Sequence, residues 1–537
     1  MTEPMEAAPP PERAAALVAG LTIASRVMGL VRVMTATAVI GVTFLGNAYA
    51  TANNVPNLLF ELFAGGALAA ALVPALSTAS SEGSREIQHR AVSAFANTAL
   101  LVLTPIVVTA IALRGPLMGW LTSGVQDPGT REAERRLGEF LLLFFLPQIW
   151  LYAIGMVLTG FLHARRRFVG PALAPLLSSV IVTGSYFIYA AVEGPAATDL
   201  FAISSTGRVI LGAGTTAGVA VLSLSLLVPA ARLGFRWRPV LHVPREAATG
   251  TGRLAASAAV SVGAQQILLA VVLVLANRVE GGVVAYQLAF TLLLLPWAVL
   301  AVPLATAAFP GLAESGRRDP ETFAVRSASA MRTTLLAVFG GAAVMFAAAR
   351  PASAAILALG IGSGGGNLDL LAPTVALFAP GLVGYGLFAL LTRTCYALGD
   401  GRTPALAAVA GFGLAGVIDL GASAFLKEAD LIAALAAGFT IGMSLSAVVL
   451  VARLRARQGR GIFDGASVSA ARGAAAGIGG AVLGWWVASA VPAATFAASV
   501  GAAALSAGAA LVVYLGVQRL LGDREMGRTV AAIRGSR

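Results

Sequence analysis

From Phe140 to Ala164, and again from Gly281 to Ala313, the chain carries no aspartate, glutamate, lysine or arginine. Segments of this kind recur from one end of the sequence to the other. A stretch of about 20 apolar residues, rising 1.5 Å each as a helix, crosses the ~30 Å hydrocarbon core of a bilayer. Inside hydrocarbon every backbone N–H and C=O needs a partner within the protein, which leaves only helices and closed barrels. The segments lack the apolar–polar alternation of barrel strands. The sequence therefore predicts an all-α polytopic membrane protein. Composition agrees: 58% of the 537 residues are hydrophobic and 12% charged, against about 25% charged in a soluble domain.

The span rule gives about 14 transmembrane helices. An N-terminal lobe over 14–231 holds six, at roughly 14–42, 46–78, 91–113, 137–162, 172–192 and 208–231. A C-terminal lobe over 254–453 holds six more, at roughly 254–277, 282–308, 326–349, 370–397, 405–426 and 431–453. A further pair covers about 469–491 and 495–518. Residues 1–13, MTEPMEAAPPPER, are acidic and proline-rich without the basic start of a signal peptide, and are expected to be disordered. Residues 519–537 form a basic tail.

Charge tests the count. With an even number of spans both termini share one side. The loops on that side then collect Arg85, Arg90, Arg165, Arg166, Arg167, Arg232, Arg236, Arg238, Arg317, Arg318, Arg453, Arg455, Arg457 and Arg460. This is the positive-inside pattern, so both termini are expected in the cytoplasm. The net charge of +12 then reflects topology, and no nucleic-acid partner is implied. The single cysteine, Cys395, excludes an internal disulfide, and His89, His163 and His242 all fall in loops, so no metal site is expected. The longest outer loop, about 114–136, has acids but no separate domain to position them. No catalytic constellation is visible, and an enzyme is not expected.

The sequence also repeats. ARRRFVGPALAP from Ala164 and ALGDGRTPALAA from Ala397 share Ala, six residues, then Pro-Ala-Leu-Ala, 233 residues apart. VPAL at Val73 and FPGL at Phe309 are 236 apart. Two pseudo-symmetric six-helix lobes in parallel orientation follow, as in transporters built from repeats, plus two extra C-terminal helices. Such a pair implies a central cleft near the bilayer midplane.

Polar groups inside spans mark function, since a charge at the bilayer centre costs at least ~2.5–3.5 kcal/mol. The first span contains Arg26 and Arg32, about 120° apart around a helix. Arg26 is too deep to snorkel easily to either surface. The second span carries Asn47, Asn54 and Glu61 at a spacing of seven, with Asn57 close by, so they form a stripe on one face. Pro56 is expected to bend this helix and Gly65-Gly66 to give a second weak point, together a gating element. Arginines beside a polar stripe suit a hydrated, anionic substrate group. Helix-to-helix hydrogen bonding by the asparagines is the structural alternative. Asp419 in the eleventh span, with Ser423 and Thr440, is a candidate cation site.

At this point SRVMGLVR (25–32), VPNLLFELFAGGALAAALVPAL (55–76), GFLHARRRFVGPALAP (160–175) and CYALGDGRTP (395–404) can be set together. They resemble the MurJ/MviN lipid II flippases of the multidrug/oligosaccharidyl-lipid/polysaccharide exporter superfamily, and the resemblance runs along the whole chain. It implies movement of lipid II from the inner to the outer leaflet by alternating access. Coupling to a Na+ or H+ gradient or to the membrane potential is implied, with no cofactor. Contacts with membrane lipids and with cell-wall synthesis machinery are implied too. In that reading Arg26 and Arg32 hold the substrate pyrophosphate through charge-assisted hydrogen bonds, and the stripe hydrates sugar and peptide. The chain departs from the family where an acid is common and Asn47 stands, where a glutamate is usual and Gly65 stands, and where an eighth-span arginine is expected and Thr291 stands. An exporter of another lipid-linked glycan or an amphipathic drug is the alternative.

Overall fold

A computed structural model describes residues 11–65, 85–240, 252–316, 318–359, 368–426, 428–491 and 495–522. Among them every regular element is helical. In chain order these are α1 (Pro11–Ile40), α2 (Phe44–Phe60), α3 (Arg85–Ala112), α4 (Arg114–Leu121), α5 (Pro128–Phe145), α6 (Gln148–Ala164), α7 (Val169–Glu193), α8 (Ser205–Leu224) and α9 (Leu227–Arg232). Then come α10 (Gly252–Ala276), α11 (Gly282–Pro296), α12 (Val302–Ser315), α13 (Pro320–Leu357), α14 (Leu368–Phe378) and α15 (Gly381–Ala397). The last are α16 (Arg402–Phe425), α17 (Glu428–Gln458), α18 (Ala466–Ala490) and α19 (Phe496–Leu520). Twelve helical segments are long and apolar enough to cross a membrane, thirteen with the bent pair α14–α15. The second of the fourteen expected spans starts in α2 and leaves the described residues after Gly65.

The repeat is written into the helix breaks. Pro147 interrupts α5–α6 and Pro380 interrupts α14–α15, 233 residues apart. Proline has no N–H to continue the ladder, so each span restarts as a new 17-residue helix, α6 and α15. Both restarted helices end in the matched loops, and α7 and α16 begin at 169 and 402, again 233 apart. The second span of each half carries a π-helical turn, Glu61–Gly65 and Trp297–Ala301, at an offset of 236. The VPAL motif at Val73 lies outside the described residues.

The turns after α6 and α15 share one left-handed residue, Arg166 (φ 56°) in the first and Gly399 (φ 74°) in the second. Left-handed backbone costs an L-residue roughly 1–2 kcal/mol, and glycine almost nothing. Arg166→Gly should therefore raise the melting temperature and Gly399→Ala should lower it, a contrast that paired thermal melts will show.

Asp400, next to Gly399, starts α16. Its carboxylate accepts the Thr403 N–H at 3.0 Å and the Thr403 hydroxyl at 2.6 Å, and pairs with Arg457. Asp127 and Asp319 do the same for α5 and α13, accepting from Thr130 and Thr322 at 2.6 and 3.0 Å. All three are Asp-x-x-Thr, a side-chain acceptor three residues before the N–H it satisfies. Partial burial pushes the Asp400 carboxyl up, but the Thr403 donors and Arg457 outweigh it and hold the group below the usual carboxylate value. A depressed carboxyl stabilises the fold above the unfolded pKa of about 3.9 and loses that contribution as pH falls through the folded value. Asp400→Ala should thus cost roughly 0.5–2 kcal/mol at neutral pH. The gap between variant and parent should close in melts below about pH 4.

Contacts divide the chain into two compact units. One comprises Met1–Val39, Ala52–Gly119 and Arg135–Ala255. The other comprises Ile40–Thr51, Trp120–Glu134 and Ala256–Arg537. The first is centred on Val157, Phe161 and Leu162 of α6 with Val92 and Phe95 of α3 and Leu226. The second is centred on Phe323 and Leu335 of α13, Leu390 and Leu391 of α15, and Leu450 and Leu454 of α17. The additional helices α18 and α19 pack on α13 through small residues. A methyl group at Gly484 would lie 2.5 Å from the Ala347 side chain and 2.7 Å from the Ser506 carbonyl, so the backbones meet there. Large apolar side chains such as Trp485, Trp486 and Val512 point outward, as lipid-facing residues do.

Candidate functional site

Arg26 and Arg32 both lie on the part of α1 that belongs to the first unit. Arg26 is 15 residues from Pro11 and 14 from Ile40, about 21 Å of helix to either end. Arg26 is exposed and Arg32 half-buried. Among the described residues neither makes a hydrogen bond or ion pair. Two guanidiniums left without a protein acceptor on an apolar helix can each offer bidentate donors to a phosphate.

Asn47 sits in the second unit and is fully buried. Its Nδ2 donates to the Val279 carbonyl at 2.8 Å, and its Oδ1 accepts the Val283 N–H at 3.0 Å. One side chain thus closes the turn between α10 and α11. Beside it, Asn277 Nδ2 donates to the Thr51 hydroxyl at 3.0 Å and to the Leu121 carbonyl at 3.2 Å. The approach is close throughout. Gly281 is left-handed (φ 69°), and a methyl there would be 2.4 Å from the Val42 carbonyl; at Gly46 it would be 2.5 Å from the Gly41 carbonyl. The segments Ile40–Thr51 and Trp120–Glu134 are therefore clasped to the α10–α11 turn by amide groups. In this conformation the Asn47 amide is engaged by backbone on both sides.

The sequence stripe consequently divides. Helix α2 passes from the second unit to the first between Thr51 and Ala52, so Asn47 is separated from Asn54, Asn57 and Glu61 in role. Asn54 is half-buried, and Asn57 and Glu61 are exposed. Asn57 Nδ2 bonds back to the Asn53 carbonyl at 3.1 Å. Pro56 is buried inside a helix that continues through it. The distortion comes a turn later, in the π-helical Glu61–Gly65; Gly66 lies outside the described residues. Thr291 supplies no replacement cation, and its hydroxyl donates to the Gln287 carbonyl at 2.8 Å.

Asp419 on α16 is fully buried, and neither carboxylate oxygen has a hydrogen-bond partner among the described residues. It faces α17 at Gly438, where a methyl would lie 2.0 Å from Oδ1. Ser423 and Thr440 are not brought to it as ligands. The Ser423 hydroxyl donates to Leu420 O at 2.8 Å, and the Thr440 hydroxyl donates to Leu377 O at 2.7 Å at the α14–α15 break. Gly438 and Thr440 are two residues apart, about 200° around the helix, so they face different neighbours. Among the described residues no three His, Cys, Asp or Glu side chains gather as metal ligands.

One apolar cavity, of about 780 Å³, opens within the second unit. Leu292 and Val299 line it from the α11–α12 span, Ala337 and Val344 from α13, and Leu511 and Tyr514 from α19. The π-turn at Trp297–Ala301 borders it. It is wide enough for a hydrocarbon chain and offers almost no polar group. The sequence patterns signal neither this cavity nor Asn277; the one local hint for Asn277 is an amide at the end of the apolar run LLAVVLVLA.

Comparison with known proteins decides the family. The profile of the family described as lipid II flippase MurJ matches residues 36–501. This chain belongs to the MurJ lipid II flippase family. Its MurJ relatives include the lipid II flippase of Burkholderia cenocepacia, 26% identical over 399 residues that cover 74% of this chain and 75% of that protein. A probable lipid II flippase MurJ of a Synechocystis species is 26% identical over 412 residues, 75% of each chain. The MurJ fold matches too. A solved MurJ structure in an inward closed conformation superposes with a TM-score of 0.72 at 17% identity, covering 94% of this chain and 99% of that one. An inward-facing multidrug resistance MATE transporter of the MOP superfamily gives 0.61 at 16% identity, covering 81% of this chain and 95% of that one. The family is one of transporters, and the all-helical, multi-span MurJ architecture is what this sequence folds into.

Proposed function

We propose that this chain carries lipid II from the inner to the outer leaflet of a bacterial plasma membrane by alternating access. Both termini lie in the cytoplasm, on the side of the arginine-rich loops. The observation that carries the reading beyond family membership is Arg26, placed at mid-helix with no acceptor among the described residues. An arginine is retained in an apolar helix, against its insertion cost, when a ligand supplies the missing anion. Arg26 and Arg32 bind the pyrophosphate, and Asn54, Asn57 and Glu61 hydrate the sugar and peptide. The polyprenyl tail stays in an apolar environment, for which the cavity beside α19 is suited. The Asn47 clasp ties the Ile40–Thr51 segment to the α10–α11 turn within one compact unit and so stabilises the conformation described here. Partners in cell-wall synthesis belong to the same proposal, as the consumers of the flipped precursor.

For coupling, the geometry around Asp419 favours a proton. A cation such as Na+ needs several converging oxygens, by analogy with the six to eight that surround calcium, and the Ser423 and Thr440 hydroxyls are committed to backbone carbonyls. A single buried carboxylate with no partner needs only a proton to become neutral. Transport should then follow an imposed pH gradient and be indifferent to replacing Na+ by K+.

The absence of the family's usual glutamate at Gly65 and of its eighth-span arginine at Thr291 favours one second reading, an exporter of a lipid-linked glycan with a differently charged headgroup. Growth of a bacterium depleted of its own lipid II flippase separates the two. Rescue by this chain is the expected result. Failure to rescue, with the protein present in the membrane at normal level, would transfer the assignment to the second reading.

A further inference from the structure

A second groove, about 640 Å³ in volume, runs along the outside of the second unit between α15 and α17. Its walls are apolar, with Gly384 and Leu387 from α15 and Ala447, Val451 and Ala452 from α17, and it ends at Arg455. Gly384 creates it. A methyl there would lie 2.7 Å from the backbone of Met443 and Ser444, so the two helices touch at that point and part beyond it, where alanines leave the space unfilled. At the 233-residue offset the first unit has Leu151, which cannot make the same approach.

We infer that this groove binds an anionic glycerophospholipid, with one acyl chain along α17 and the headgroup phosphate on Arg455. Three observations on the page point to that occupant. The groove follows α17 from Ser444 to Ala456, about 18 Å at 1.5 Å per residue. That is close to the ~15 Å depth of one leaflet, half of the hydrocarbon core. Its charge lies at one end only, at the level where headgroups lie. And the guanidinium there is free to receive a phosphate. Arg457 is already paired with Asp400, whereas Arg455 is exposed and makes no hydrogen bond or ion pair among the described residues. Basic pockets between membrane helices recognise anionic headgroups by this combination of an apolar seat and a terminal cation. The groove shares no lining residue with the cavity beside α19 and belongs to a different unit from Arg26, so the lipid is a bound component of the protein and not the cargo.

The test counts lipids bound to the detergent-purified full chain by native mass spectrometry during titration with dioleoyl phosphatidylglycerol or dioleoyl phosphatidylcholine. The parent chain should bind phosphatidylglycerol about fivefold more tightly, the size expected of one arginine near an anionic headgroup. Arg455→Ala should erase that preference and Arg455→Lys should keep most of it. Ala452→Phe, which fills the groove at an exposed position, should weaken the binding of both lipids. Circular dichroism on each variant confirms the helical fold. A preference that survives Arg455→Ala would overturn the assignment, as would unchanged occupancy in Ala452→Phe. A shift of oligomeric state in Ala452→Phe would give the groove to a second copy of the chain and overturn it equally. None of these readings involves transport, so their failure leaves the flippase proposal where it stands.

Discussion

Arg26→Ala is expected to abolish rescue of a flippase-depleted bacterium while leaving the protein folded and in the membrane. The side chain makes no hydrogen bond or ion pair among the described residues, so its removal breaks nothing in the fold. What is lost is the donor to the substrate. A hydrogen bond to a charged group contributes about 1.5–3 kcal/mol, which corresponds to roughly 10- to 100-fold in headgroup affinity. Arg26→Lys keeps the charge but not the bidentate fork, and should retain partial activity. Arg32→Ala, at a half-buried position 120° away, should weaken transport in the same direction. Melting curves of these variants should overlay that of the parent. A large drop in melting temperature for Arg26→Ala would mean that the arginine supports the fold and would remove it from the binding role.

The second large effect is expected at Asn47, with the opposite signature. Asn47→Leu leaves the buried Val283 N–H without its acceptor and removes one of two donors from the Val279 carbonyl, which keeps the Gly282 N–H at 2.9 Å. Each unsatisfied buried group costs about 1–3 kcal/mol, so the variant should lose both melting temperature and transport. Asn47→Asp keeps an acceptor for Val283 but no longer donates an amide N–H to Val279, and should fall between the two. Asn277→Leu, which frees Thr51 and Leu121 from the same clasp, should resemble Asn47→Leu. The pairing of outcomes matters: Arg26 changes transport at constant stability, and Asn47 changes both. If Asn47→Leu melted like the parent, the clasp would hold nothing.

How far such assignments can be read from sequence follows from how local their causes are. The spans are legible because apolar length is a property of one segment. The repeat is legible in PALA; the helix breaks at Pro147 and Pro380 share its offset, but a proline alone does not announce a break, since α2 continues through Pro56. Arg26 is legible because a charge in hydrocarbon is conspicuous against its own neighbours. The stripe Asn47–Asn54–Glu61 shows as a period of seven, yet its division at Thr51 does not. Asn47 bonds to residues 232 and 236 positions away, and no local pattern encodes a partner at that distance. The same limit explains Thr440. The order of spans places it on the helix after Asp419, but rotation of α17 directs Gly438 toward the acid and Thr440 toward Leu377. The Asp-x-x-Thr caps were within reach of a local reading, since their signal spans only four residues.

The measurement that bears most directly on the central claim uses the purified chain reconstituted in liposomes with fluorescent lipid II. A membrane-impermeant reagent then reports how much lipid II reaches the opposite leaflet with time. The account predicts steady transfer by the parent chain, accelerated by a pH gradient, and transfer no faster than in empty liposomes for Arg26→Ala. Equal transfer by parent and Arg26→Ala, or none by either under a gradient of either direction, would contradict it.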